Sequence, residues 1–402
     1  MTELTCYACG ATAELGTAAR CDCGEPLWLD TDPSGFSWAS ARGERMWRYG
    51  DLLPDFLARE DGRVVPPTGV GSAAGGTPLV RARRLDDVAG VRVHVKDEGR
   101  NPTGSFKDRG SALGVEYARL TGVERVGTVS HGNMAMSVAA HAASAGMDCV
   151  VLVPADISAE RLRNIAQYDP TVVRVDGDYG RLYERSLELG REHGVQFVNS
   201  DAPLRVEGQK TTAVEVCEAF APEGPDALVL PVSAGGHASG AWKAVRELRE
   251  AGALDRVPRL YFVQTAAVGP IAEADARGDD EVTPVEDAET VAYSIANADP
   301  PSGNRALAAA RDTGGAVVAV DDEEILEAKR ELASRAGLSV ESASATTLAG
   351  ARRLADEDEL RAAEDVVLVA TGSGFKESGT GLAEPEPATV ALDDLGDHLA
   401  AL

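Results

Sequence analysis

Residues 226–248 read DALVLPVSAGGHASGAWKAVREL. An apolar run too short for a helix stops at Ser233-Ala234-Gly235-Gly236-His237 and gives way to a stretch of helical composition. The same alternation recurs along the chain. Strands are expected at 91–95, 125–130, 149–154, 171–176, 226–232, 259–265, 316–321 and 365–371, with stretches rich in Ala, Glu, Arg and Leu between most of them. This pattern predicts an α/β fold with parallel sheets covered on both faces. Such sheets bind ligands beyond the carboxyl ends of their strands, so function is sought in the turn after each strand.

Composition narrows the classes of function. At 402 residues the chain can bury a sizeable core in two or three substructures. The net charge of −26 argues against a nucleic-acid partner or an anionic membrane surface. No run of about eighteen apolar residues occurs, so no membrane partner is expected. The opening MTELTCYACG has neither a basic nor an apolar secretory region, which points to a cytoplasmic protein. Acidic pairs such as Asp279–Asp280, Asp321–Asp322 and Asp393–Asp394 are spread along the chain. They describe a well-solvated surface, or adaptation to a salt-rich cytoplasm where screening tolerates dense negative charge. Only six of the thirty-nine basic residues are lysine.

Four of six cysteines fall within eighteen residues, as Cys6-Tyr-Ala-Cys9-Gly and Cys21-Asp-Cys23-Gly. Two close pairs, each with a glycine after it, are the arms of a knuckle able to hold structural Zn²⁺ through four thiolates. Disulfides or free thiols are the alternative, and a cytosolic setting disfavours the disulfides. Cys149 and Cys217 sit in apolar contexts and are expected in the core.

Four strand ends carry candidate chemistry. After 91–95 comes Asn101-Pro102-Thr103-Gly104-Ser105-Phe106-Lys107, turn residues leading into a helix. A helix N-terminus disfavours a cation but not a neutral amine, so Lys107 is either a Schiff-base lysine or a surface charge. After 125–130, Ser130-His131-Gly132-Asn133 opens a helix and offers amides to a ligand, or simply caps it. The 233–237 turn can cradle a phosphate on backbone N–H groups, although it matches no nucleotide motif. Thr371, closing the last strand, projects toward the same crevice or is a satisfied strand-end hydroxyl. An imine-forming lysine, a phosphate cradle, an amide and a neutral hydroxyl together suit one cofactor, pyridoxal 5′-phosphate.

The ordered motifs GGTPLVRARRL (75–85), KDEGRNPTGSFKDRG (96–110), NSDAPLRVEGQKT (199–211), SIANADPPSGNRAL (294–307), GLSVESASATTLAG (337–350) and ATGSGFKE (370–377) resemble those of the threonine synthases. These belong to the tryptophan-synthase-β-like, fold type II, pyridoxal-phosphate enzymes. The resemblance runs from the knuckle to about residue 380 and implies two doubly wound parallel-sheet domains. Residues 1–29 read as the knuckle, and 30–75, where Trp, Pro and Gly show no period, as a linker and lid that packs on the body; the resemblance implies a large domain from 76–120 plus 205–390 and an inserted small domain at 121–204. It makes Lys107 the cofactor lysine, flanked by Ser105 and Phe106. Asn133 would meet the ring hydroxyl, Ser233, Ala234, Gly235, Gly236 and His237 the cofactor phosphate, and Thr371 the ring nitrogen. Ser130, His131, Asn199, Ser200 and Arg205 fall where the family binds the phosphate of O-phosphohomoserine, with Arg205 as the anchor. A small-molecule phosphorylated amino acid is therefore the expected partner, and a homodimer the family default.

The chain departs from the family pattern twice. His131 stands where a small hydroxyl residue is usual, and the cofactor turn is often Gly-Asn-Ala-Gly-Asn. These keep open β-replacement on O-phosphoserine, as in cysteate-synthase-like relatives, a threonine/serine dehydratase, and a non-catalytic protein of this fold. The charge pattern generates one prediction. If the acidity is salt adaptation, the denaturation midpoint of the purified chain should rise steadily as KCl is added. Full stability at low salt overturns that reading.

Overall fold

The computed structural model describes residues 2–16, 20–177, 179–377, 387 and 389–401. The last residues of the expected large domain, 378–386 and 388, lie outside the described ones. At the amino terminus, β1 (Glu3–Cys6), β2 (Thr12–Glu14) and β3 (Leu27–Leu29) form a small antiparallel sheet in the order β2-β1-β3. A hairpin of β4 (Arg59–Glu60) and β5 (Arg63–Val64) comes next. Residues 30–75 contribute to two of the cores. Phe36, Tyr49 and Leu52 enter the main core, and Met46, Trp47, Leu53 and Leu57 pack with Ala112 and Leu113.

Two sheets carry the rest. The larger holds β6 (Leu79–Arg81), β7 (Arg92–Asp97), β12 (Ala227–Pro231), β13 (Arg259–Thr265), β14 (Val317–Val320) and β15 (Asp365–Ala370), in the order β14-β13-β12-β15-β7-β6. The smaller holds β8 (Arg125–Val129), β9 (Asp148–Pro154), β10 (Thr171–Val175) and β11 (Val195–Phe197), in the order β10-β9-β8-β11. All pairs are parallel except β6 with β7. Alternation along the strands feeds both faces of the larger sheet. Leu228, Leu230, Val367 and Val369 enter one core, while Ala227, Val229, Val366 and Leu368 enter the other.

All eight expected strands form. In the two larger sheets the antiparallel edge β6 and the short β11 are the additions, three residues each, and a run that short displays no periodicity to read.

Where β7 leaves the sheet, its end is fixed by charge. Arg109 is wholly buried and forks between two carboxylates. Its Nε and Nη2 donate to Glu98 at 2.7 Å each, and Nη1 and Nη2 donate to Glu215 at 2.7 and 2.8 Å. Lys96 on β7 donates to Glu215 at 2.6 Å. Burial pushes the Glu215 carboxyl up, but Arg109 and Lys96 outweigh it and bring it down to about 2. Arg109→Ala would leave the buried Glu98 without a cation and Glu215 with Lys96 alone. It should cost about 3–5 kcal/mol, measured as the unfolding free energy in denaturant.

Candidate active site

Lys107 begins the helix Lys107–Leu120, and Phe106 holds the cap position. The turn is clamped to the end of β15, because Phe106 N–H donates to Thr371 O at 3.0 Å and Ser373 N–H to Gly104 O at 2.9 Å. The next residue, Asp108, accepts from Thr103 N–H and Oγ1, both at 2.7 Å, and from Ser137 Oγ at 2.6 Å. Ser137 lies on the helix Asn133–Ala145 that comes after β8, so Asp108 ties the lysine turn to the smaller sheet. The Lys107 side-chain nitrogen sits 4.3 Å from the Phe106 ring centre, and that ring stacks on His237 at 4.1 Å and 11°.

A cavity of about 1030 Å³ opens above these strand ends. Of the residues expected at the site, Phe106, Lys107, Ser130, His131, Asn133, Ser200, Ser233, Ala234, Gly235, His237 and Thr371 line it. Burial, and then the nearby Arg205 guanidinium, bring the Lys107 amine down to about 7, against an opposing pull from Glu341. Lys107 is thus about half neutral near pH 7 and increasingly neutral above it, as a nucleophile or base requires.

The 233–237 turn joins β12 to the helix Gly236–Glu250. Gly235 has φ +87°, and a side chain there would run into the Ser302 carbonyl. A Cβ on Gly236 would lie 2.6 Å from the Ser200 carbonyl oxygen. Only glycine lets the backbone approach this closely, leaving a concave N-terminus that suits a phosphate. The His237 ring is buried and neutral, its pKa pushed down to about 3 by burial. Its Nδ1 has no partner among the described residues, and neither does the buried Ser105 Oγ. Thr371 Oγ1 lies 3.0 Å from Ser344 Oγ, a pair of hydroxyls with no carboxylate between them.

Four expected residues lie behind the cavity wall. Ser105 is buried at an isolated bridge with Gly372, and Gly236 acts through its backbone. Asn199 is fully buried, accepting from Val129 N–H at 3.0 Å and donating to Ser186 Oγ at 3.1 Å. Arg205, expected as the phosphate anchor, is fully buried under the lysine helix, donating to Ser111 Oγ at 3.0 Å and to the Lys107 carbonyl at 3.4 Å. The helix Pro203–Gln209 turns that side chain inward, away from the cavity.

Other residues arrive that the motifs did not single out. Glu341 caps the helix Ser342–Asp356 and accepts from Asn133 Nδ2 at 2.8 and 2.9 Å. Lys376 donates to Asn133 Oδ1 at 2.6 Å and lies 3.2 Å from Glu341. No spacing signals this triad, because Asn133 is over two hundred residues from both partners. The expected metal ligands do converge. The Sγ atoms of Cys6, Cys9, Cys21 and Cys23 all lie within 4.8 Å of one another, with Cys6–Cys23 at 3.6 Å and Cys9–Cys21 at 3.5 Å. Four thiolates at about 2.3 Å from one Zn²⁺ stand about 3.8 Å apart.

The family model described as pyridoxal-phosphate dependent enzyme matches residues 70–372, and the chain belongs to that family. Its relatives stand among the threonine synthases. That of Methanocaldococcus jannaschii is 34% identical over 398 residues, covering 96% of each chain. That of Methanosarcina acetivorans is 34% identical over 398 residues, covering 97% of this chain and 96% of its own. Among solved structures, O-ureido-L-serine synthase superposes with a TM-score of 0.66 at 22% identity, over 84% of this chain and all of its own, a likeness of fold.

The residues fit the cofactor, and the lowered Lys107 pKa makes a prediction about its uptake. The amine attacks an aldehyde only when neutral, and it is neutral above its pKa. The initial rate at which apoprotein takes up pyridoxal phosphate, tracked by visible absorbance, should rise through about pH 7 and level off above it. A midpoint near 10 would mark an ordinary lysine.

Proposed function

We propose that this chain converts O-phospho-L-homoserine and water into L-threonine and phosphate. The observation that carries this reading is the meeting, in one cavity, of a near-neutral lysine with the glycine-built 233–237 turn. Of the alternatives, neither O-phosphoserine replacement nor deamination is favoured by the relatives, which are threonine synthases.

Pyridoxal phosphate, when bound, supplies an aldehyde that takes up an amine and a ring that withdraws charge from the adjoining carbon. The 233–237 turn would hold its phosphate, Asn133 its ring hydroxyl, Thr371 its ring nitrogen and Lys107 its aldehyde. The chain's own groups then do the rest. The Lys107 amine accepts the proton from the substrate's α-carbon and later returns a proton. Thr371, bonded to Ser344, offers the ring nitrogen a neutral hydroxyl rather than a carboxylate. Glu341 and Lys376 orient the Asn133 amide. Ser130, His131 and Ser200, which line the cavity, would face the departing phosphate. Asn199 and Arg205 support that wall and the lysine turn from behind. We take residues 121–204 as a small domain able to close on the larger one and limit water to the reactant.

The four cysteines are read as a structural Zn²⁺ site, in keeping with six free thiols and a cytoplasmic setting. The acidic surface is read as salt adaptation, and the assembly as a homodimer.

Phosphate release should favour O-phosphohomoserine over O-phosphoserine by at least tenfold in kcat/KM, about 1.4 kcal/mol. The reverse preference would move the assignment to β-replacement. Lys107→Ala should lower turnover by about 10³-fold or more and remove the visible absorbance of the bound cofactor.

A further inference from the structure

The residue expected to anchor the substrate's phosphate, Arg205, is sealed behind the lysine helix, while another arginine stands on the open wall. Arg20 precedes Cys21 in the four-cysteine unit. Together with Gly24 and Glu25 it lines the main cavity, although it stands far ahead of the catalytic body in the chain. We propose that Arg20 is a specificity-determining residue, presenting its guanidinium to the anionic end of the substrate. The proposal rests on the functional reading that this substrate is a phosphorylated amino acid.

The geometry that supports it begins in the cysteine unit. Residues Arg20 and Pro26 pair as an antiparallel bridge, closing a tight hairpin around Cys21 and Cys23. Cys21 N–H donates to Glu25 O at 2.9 Å, and Gly24 takes φ +92° at the turn. The hairpin is bolted to the catalytic body at two points. Asn304 Nδ2 donates to Glu25 Oε1 at 2.9 Å. Arg20 Nη2 donates to Asp201 Oδ2 at 3.0 Å and to Pro301 O at 2.8 Å, while Nη1 donates to Gly24 O at 3.0 Å.

These bonds use three of the five N–H donors of a guanidinium. The other two belong to a side chain that is 35% exposed, and Ser200, the neighbour of Asp201, is part of the cavity lining. A side chain already held in place loses little entropy on binding, and the two remaining donors, on Nε and Nη1, can each meet an anionic oxygen singly. Arg181 and Arg191, from the helix Tyr179–His193, line the same cavity. Of the four carboxylates there, Asp299 is exposed, while Glu25, Glu188 and Glu341 are each bonded to partners, namely Tyr7 and Asn304, Arg185, and Asn133 with Lys376. In a chain of net charge −26, three arginines face the four carboxylates of the same cavity, and a phosphate would have to meet them in place of water.

The test uses the holoenzyme and Arg20→Gln. The KM for O-phosphohomoserine should rise tenfold or more, with a much smaller change in kcat, and the inhibition constant of inorganic phosphate should rise in parallel. The visible absorbance of the bound cofactor should persist, whereas a purely structural role would lower cofactor content or melting temperature and leave KM unmoved. Arg20→Lys should recover part of the loss. Values for Arg20→Gln within twofold of the wild type overturn the proposal. A wild-type enzyme that releases no phosphate from O-phosphohomoserine overturns the functional reading instead. Should Arg20→Gln fail to fold, the unaltered holoenzyme decides. Inorganic phosphate, but not chloride at equal ionic strength, should shield Arg20 several-fold from phenylglyoxal labelling mapped by mass spectrometry. Labelling indifferent to phosphate overturns the proposal.

Discussion

The lysine turn is built on a buried charge knot. Arg109 lies two residues after Lys107 and has no access to water, so its guanidinium must be paired inside the protein. Glu98 comes from the end of β7 and Glu215 from the helix Thr211–Ala219, and the Gly76 N–H donates to Glu215 at 2.7 Å. Three stretches far apart in sequence are therefore held to one point. A neutral packing solution could match this knot in stability, but it would lack the directionality of a fork whose bonds fix the rotation of the helix bearing Lys107. Asp108 does the same on the opposite side, through Thr103 and Ser137.

The six lysines obey the same logic. Lys96, Lys210, Lys243 and Lys329 are buried and ion-paired, with Lys210 and Lys243 both shared between Glu207 and Glu247. Lys107 and Lys376 line the cavity and the small hollow beside it. The open surface uses arginine as its cation. An ammonium is a compact charge whose pKa moves readily on burial, whereas a guanidinium stays charged. Lysine is thus kept where a paired interior charge or a titratable amine is needed. One buried arginine helps: Arg205 carries its charge against the lysine turn and lowers the Lys107 amine.

The amino-terminal unit enters the same architecture by docking rather than by sequence proximity. Tyr7, Trp28 and Trp242 form a cluster with ring centres 5.1–5.9 Å apart, joining the unit to the helix that begins at the 233–237 turn. Trp28 Nε1–H also donates to Ser239 Oγ at 2.7 Å. The four-cysteine unit is thereby packed against the same helix whose N-terminus forms the glycine turn.

Much of this was legible in the chain. Eight strands announce themselves by apolar runs of five to seven residues, and the candidate groups at Lys107, Asn133, Ser233–His237 and Thr371 are found because each comes after, or closes, one of those runs. The two cysteine pairs need only their spacing. Residues 30–75 were harder: their Trp, Pro and Gly show no period, and their place in the core appears only once Ala112 and Leu113 are folded beside them. Arg205 and Asn199 show where linear reading stops, since motif position says which segment approaches the cavity but not which way a side chain points from it. Glu341 and Lys376 lie in the family-like motifs at 337–350 and 370–377, but their partnership with Asn133, like that of Arg20 with Asp201 and Pro301, is silent in sequence, because it spans up to about two hundred and eighty residues. By itself the sequence determined the strand–helix order, the lysine turn, the glycine turn and the cysteine pairs, because backbone conformation and short-range spacing are local. Only the tertiary structure decided which charges face the cavity and which are sealed behind it, because burial and pairing depend on how distant segments close together.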